Sequence, residues 1–176
     1  MADFTINKYI KLLHALIEQG YQFQTFEEFL TKPLPRTIVL RHDVDKRPQN
    51  SLATANIESG LGLKGVYNFR ILPCSWDESI IKEISAMGHE IGYHYEDMAL
   101  NKGMHESAIK SFKENLQRLR ELAPVSTITM HGSPTSKHDS RDLWKKYNYK
   151  DFGLIGEPYF DVDFSNMLYL TDTGRK

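Results

Sequence analysis

Three short stretches hold the side chains best suited to chemistry: Arg41-His42-Asp43-Val44-Asp45, Gly88-His89-Glu90-Ile91-Gly92-Tyr93-His94, and the run Ser126-Thr-Ile-Thr-Met-His131. Two carboxylates one residue apart, with histidines supplied from elsewhere, are the donors that a zinc-like divalent ion takes. Such an ion needs about three protein ligands and one open position. A carboxylate not spent on the metal can act as general base. The plain alternative is a strand-end turn whose aspartates pair with Lys46 and Arg47, beside two histidines hydrogen-bonded in the core.

These residues must be positioned by elements, and the hydrophobic pattern names them. Ile38-Val39-Leu40 running into Arg41–Asp45 reads as a buried strand closed by Lys46-Arg47-Pro48. Gly65–Ile71 reads as a second strand, Gly88–His94 as a third and Ser126–His131 as a fourth, with short ones at Gly153–Gly156 and Met167–Leu170. Helices are expected between them. Residues 5–20 place Ile6, Ile10, Leu13, Leu16 and Ile17 on one face and stop at Gly20, and Thr25–Glu28 reads as a capping box. A helix follows at Asn50–Leu61, and Ser75–Glu78 reads as a second capping box ahead of Ile80, Ile81, Ile84 and Met87. His105–Leu122 buries Ile109, Phe112, Leu116, Leu119 and Leu122 and is expected to pair Glu114 with Arg118. Asp139 caps a short helix through Tyr147.

Alternating strands and helices with short links predict an α/β fold with a parallel sheet. In such a sheet the ends of strands one, three and four lie at one rim, so Asp43, Asp45, His94 and His131 are expected to meet there. No glycine-rich phosphate loop follows the first strand, which argues against a nucleotide site.

Composition narrows the class. The chain has 176 residues, 40% hydrophobic and 26% charged, enough for one domain with a sizeable core. Its 22 Lys+Arg against 23 Asp+Glu give a net charge of −1, a poor match for nucleic acid. No apolar run is long enough for a membrane span and no secretory signal is visible, so neither membrane nor export is expected. Cys74 is the single cysteine, which excludes an internal disulfide. A cytoplasmic location is the resulting expectation.

With these residues in place a resemblance emerges. His42-Asp43-Val44-Asp45 followed by Gly88–His94 resembles the NodB-homology polysaccharide deacetylases, carbohydrate esterase family 4. That family carries Thr-Phe-Asp-Asp-Gly at the first strand end and Gly-His-Glu-Ile-Gly-Asn-His-Thr-x-x-His at the third. The second motif differs through His94 only in having Tyr93 for asparagine, and His131-Gly-Ser-Pro134 stands at the place of an Arg-x-Pro motif. The likeness runs over about residues 36–172.

The resemblance implies a deformed (β/α) barrel, incomplete at the C-terminus, over residues 36–176, preceded by a helical segment at 1–35 within a single domain. It implies metal-dependent hydrolysis of a carbon–nitrogen bond, removing an N-acetyl group from a sugar, with zinc as the expected divalent ion and a carbohydrate as substrate. Asp43 falls on the catalytic base and His94 on the first metal histidine. Val44 stands where the family has its metal aspartate, so that role passes to Asp45. Met98 stands at the second metal histidine, leaving Glu96, Asp97 or His131 as third ligand, with His131 favoured. No counterpart of the family's late acid histidine is present. Arg41 is assigned to orient Asp43, with a plain salt bridge as its alternative. Among the aromatics, Tyr93 and Tyr95 are assigned to line a sugar cleft, and His89 is read as structural. A homo-oligomer covering unpaired sheet edges is a further expectation. Two other readings stay open: a glycan-binding barrel without turnover, and a metal-free amidohydrolase of the same fold.

Overall fold

The computed structural model describes residues 5–133 and 135–171. Readings that rest on the chain ends at 1–4 and 172–176 lie outside the described residues. The elements alternate, beginning with helix α1 (Ile6–Glu18), strand β1 (Gln22–Phe23), helix α2 (Phe26–Thr31) and strand β2 (Thr37–Ile38). Strand β3 (Arg41–Val44), helix α3 (Pro48–Gly60), strand β4 (Val66–Phe69) and helix α4 (Glu78–Ala86) follow. Then come strand β5 (Glu90–Tyr95), helix α5 (Asp97–Leu100), helix α6 (His105–Arg120) and strand β6 (Ile128–Met130). Helix α7 (Pro158–Asp161) comes late, amid three 3₁₀ turns at Ser140–Lys145, Tyr149–Phe152 and Phe164–Asn166. Strands β3-β4-β5-β6 pair in parallel in that order and form a curled half-barrel. No helix among the described residues is long and apolar enough to cross a membrane.

Successive side chains on a strand alternate between faces. The registers Asp43↔Asn68, Asn68↔Gly92 and His94↔Thr129 therefore put these residues on one face. The same parity extends to Arg41, Asp45, Arg70, Glu90, Glu96, Thr127 and His131, so the inner face is polar or small except at Val66. The outer face carries Val44, Tyr67, Phe69, Ile91, Tyr93, Tyr95 and Ile128, all buried, against which the helices pack. Phe112 of α6 is the hub of that layer, with ring centroids 5.4 Å from Tyr93, 5.9 Å from Tyr95 and 4.9 Å from Trp144. One charge is built into this side. Glu58 of α3 is fully buried, accepts hydrogen bonds from Tyr9 and Tyr67, and meets His42 Nε2 at 2.6 Å. Burial alone would raise its pKa, but the His42 and tyrosine contacts pull it below the ordinary value.

Helix α2 closes the amino-terminal end of the half-barrel. Its capping box is reciprocal, with Glu28 N–H donating to Thr25 Oγ1 at 3.2 Å and Thr25 N–H to Glu28 Oε2 at 3.0 Å. Glu27 N–H donates to Glu90 Oε2 at 2.8 Å on the inner face. Gly156 lets the helix seat closely, since a Cβ there would lie 2.0 Å from Leu30 Cδ1.

Several expectations are corrected. The apolar run at Ile38 is two strands, because Thr37–Ile38 pairs with β1 and the chain crosses to a second sheet before Arg41. Ser75 does not cap α4; Asp77 does, accepting from Ser79 and Ile80 N–H. Ser75 is buried instead, accepting from Arg70 N–H and donating to Val44 O, which ties the ends of β3 and β4 together. Glu114 pairs with Lys110, not with Arg118, which lies over the Trp76 ring. The helix expected from Asp139 through Tyr147 is a 3₁₀ turn, Ser140–Lys145, which Asp139 does cap, and a separate 3₁₀ turn follows at Tyr149–Phe152. The expected fifth strand reduces to one bridge, Thr127↔Gly156, and Met167–Leu170 forms no strand, leaving Leu168 87% exposed. An apolar run becomes a strand only where a neighbouring backbone takes its hydrogen bonds, and among the described residues none pairs with Met167–Leu170.

Truncating the hub tests this layering. Phe112→Ala is expected to destabilise the fold by about 3–5 kcal/mol in urea denaturation, the range for emptying a buried aromatic site.

Candidate metal centre

The rim where β3, β5 and β6 end holds three side chains from separate strands. Asp45 Oδ1 lies 3.5 Å from His94 Nε2 and 3.4 Å from His131 Nε2, and the three donor atoms fall within 4.8 Å of one another. Tetrahedral ligands about 2.0–2.1 Å from one ion would be about 3.4 Å apart, so the Asp45 pairs already have the required spacing. The strand geometry explains why Asp45, and not position 44, stands beside the two histidines. Val44 points into the outer core and is 2% exposed, whereas Asp45 turns to the rim with a side chain 51% exposed. Its turn is held by Asp45 N–H to Asp43 O and Arg47 N–H to Cys74 O, with Arg47 in the left-handed region.

Both imidazoles are oriented by their far nitrogens, the arrangement common to metal-ligating histidines. His94 Nδ1 sits 3.0 Å from Thr129 O, which can only accept, so this nitrogen carries the proton and Nε2 presents its lone pair to the rim. Burial lowers the His94 pKa, and the nearby Asp43 and the Thr129 carbonyl do not reverse this, so the ring is neutral near pH 7. His131 Nδ1 faces Glu96 Oε2 at 3.2 Å and Ser133 Oγ at 3.0 Å. Glu96 is clamped in turn by Arg70, Nε to Oε1 at 2.6 Å and NH2 to Oε2 at 2.8 Å. Burial would raise the Glu96 pKa, but His131 and Arg70 bring it down to about 2. Thr129 Oγ1, on the inner face in register with His94, is buried without a hydrogen-bond partner. The donor set fits a divalent ion: one carboxylate, the His94 imidazole with its Nε2 lone pair turned inward, the His131 imidazole with Nε2 facing Asp45, and an outer ring of hydrogen bonds.

Asp43 stands beside this set, its Oδ2 3.8 Å from His94 Nε2. Arg41 grips it with two bonds, Nε to Oδ1 at 3.0 Å and NH2 to Oδ2 at 2.7 Å, and Asn68 Nδ2 donates to Oδ1 at 3.0 Å. The Arg41 contact is thus both a salt bridge and an orienting clamp. Burial raises the Asp43 pKa, and His94, Arg41 and Asn68 together outweigh it, so the group is ionised at neutral pH. Gly92 makes room for this arrangement, because a Cβ there would lie 2.0 Å from Asn68 Oδ1.

The remaining candidates fall elsewhere. Met98, 2% exposed, belongs to the core, and Asp97 is buried on the outer side, accepting from Tyr93 Oη, Ser111 and Asn115. Glu96 supports His131 rather than facing Asp45. His89 is structural, accepting from Gly65 N–H and bonded to Ala55 O. Tyr93 and Tyr95 are corrected: both are 2% exposed or less and point away from His94, because odd positions of β5 face the helices. They offer no surface to a sugar. Pro134 lies outside the described residues. The sequence reading missed Asn68, Arg70 and Ser133. Asn68 had a signal, a lone polar residue inside Val66-Tyr67-Asn68-Phe69. Comparisons with protein-family models, curated proteins and solved structures find no match for the chain.

Glu96 predicts an acid limb. A glutamate in the unfolded chain protonates near 4.5, whereas folded Glu96 stays ionised to about 2. Its contribution is complete above pH 4.5 and is lost as pH falls toward 2, on the order of 3 kcal/mol in all. Glu96→Gln is expected to flatten stability against pH in that window, measured by chemical denaturation at each pH.

Proposed function

We propose that the chain is a metal-dependent hydrolase of a non-peptide amide bond, acting in the manner of a polysaccharide deacetylase to remove an N-acetyl group from a sugar. The observation that carries this reading is the convergence of Asp45, His94 and His131 at one rim with Asp43 alongside. The His42–Asp45 and Gly88–His94 motifs agree with it.

Asp45, His94 and His131 would hold the ion, and zinc is the metal that this mixed carboxylate and imidazole set suits best. Bound there, it would supply Lewis acidity toward the amide carbonyl and acidify a water. The chain's own residues do the rest. Asp43 Oδ2, ionised and turned toward the rim, accepts the proton of the attacking water. Arg41 and Asn68 fix its direction, and their donation lowers its proton affinity while keeping it in the basic form. Glu96 and Arg70 hold the His131 ring, so its Nε2 stays aimed at Asp45. The exposed side of Asp45 leaves the rim open to solvent and to a bound sugar.

The roles separate by experiment. Asp43→Asn is expected to lower acetate release from N-acetylated sugars about 10²–10⁴-fold, the usual contribution of a general base. Its zinc content, measured by plasma mass spectrometry after dialysis, should match the parent's. His94→Ala should lose both. Loss of zinc from Asp43→Asn would make Asp43 a ligand, and a parent protein that takes up no zinc would overturn the reading.

A further inference from the structure

Beside the rim, a cavity of about 410 Å³ opens against His131 and Glu96. Its charge is one-sided. Arg70, Lys102 and Lys137 line it, and Glu96 is the only carboxylate among its described lining residues. Glu96 is already engaged by Arg70 and His131. No carboxylate among the described residues pairs with Lys102 or Lys137, both exposed residues of the cavity's lining. Its apolar lining is Ala99 and Leu100, the latter 51% exposed. The volume lies within the range of small-ligand sites.

The two lysines are placed by loops that clasp each other. Lys102 adopts a left-handed backbone (φ 51°), with its N–H bonded to Ala99 O, and Gly103 follows at φ 79°. The His138 ring packs onto Gly103, where a Cβ would come within 2.5 Å of Nδ1. The loop bearing Lys137 is folded on itself by Ser136 N–H to Ser133 O and by His138 N–H to Ser136 Oγ. Ser133, at φ 34°, joins this loop to the rim through His131 and Glu96. Strained non-glycine backbone at two points of one cavity wall is the kind of geometry that binding sites retain.

We infer that this cavity selects an acidic sugar, one bearing a carboxylate or phosphate, by pairing the anion with Lys102 and Lys137 while Ala99 and Leu100 meet the carbon skeleton. The inference names the substrate class of the proposed hydrolase and rests on that reading for its chemistry; the binding itself does not require turnover. A ligand seated there lies against His131, one of the three residues that meet at the rim.

The test uses zinc-loaded full-length protein with three probes: N-acetylglucosamine, its 6-phosphate, and N-acetylglucosaminuronic acid. Calorimetry reads binding and acetate release reads turnover. At least one acidic probe should bind roughly tenfold or more tighter than the neutral sugar, as charge-assisted contacts allow, and the tighter one identifies the anion. In the double variant Lys102→Gln/Lys137→Gln that preference should fall to near one, and Lys102→Arg/Lys137→Arg should restore it. Equal affinity for all three probes, or a preference that survives loss of both lysines, overturns the inference. Lysine-dependent binding without acetate release from any probe would reject the hydrolase reading and leave the acidic-sugar site standing. Equal acetate release and equal affinity across the probes would do the reverse.

Discussion

Alternation along four parallel strands is the constraint on which the molecule depends. Residues two apart on a strand share a face, and parallel register carries that face from one strand to the next. In this chain every inner position from Arg41 to His131 is polar or small except Val66, and nearly every outer position is apolar. A shift of one residue in any strand would bury Asp43 or His94 among the helices and turn Val44 or Tyr93 to the rim. The aromatic layer around Phe112 therefore sets the register, and the register aims the chemistry.

A polar interior is stable only when its groups are satisfied. Here the satisfaction is local and directional. Arg41 and Asn68 hold Asp43, Arg70 and Glu96 hold His131, and Thr129 O holds His94. The Arg41 and Arg70 contacts neutralise charges, the Thr129 contact fixes the His94 tautomer, and both histidines present Nε2 to Asp45. The interactions that make the inner face tolerable are the same ones that prepare it for an ion. The outer layer handles its own charge separately, with Glu58 surrounded by Tyr9, Tyr67 and His42.

Much of the fold was legible in the sequence. The reciprocal capping box at Thr25 and Glu28, the long helix beginning at His105 and the parallel order of β3 to β6 all follow from local pattern. Where the reading failed, a partner outside the local window decided. Ser75 looked like a cap and is a bridge between strand ends, because Asp77 is closer to the first free N–H groups of α4. Met167–Leu170 has the composition of a strand and no pairing neighbour among the described residues.

By itself the sequence determined which residue types stand at the ends of three strands, and from that the meeting of Asp43, Asp45, His94 and His131 at one rim. Strand direction and periodicity suffice for this, since both are short-range properties of the chain. Tertiary structure alone decided how they are used. That Asp45 rather than position 44 reaches the histidines depends on the turn through Arg47. That Glu96 supports rather than ligates depends on Arg70, distant in sequence, and that Tyr93 and Tyr95 are core depends on which face α6 covers. Lys102 and Lys137 line one cavity across two loops that touch where the ring of His138 packs on Gly103. Such outcomes rest on contacts between segments far apart along the chain, and residue spacing in one segment carries no information about the other.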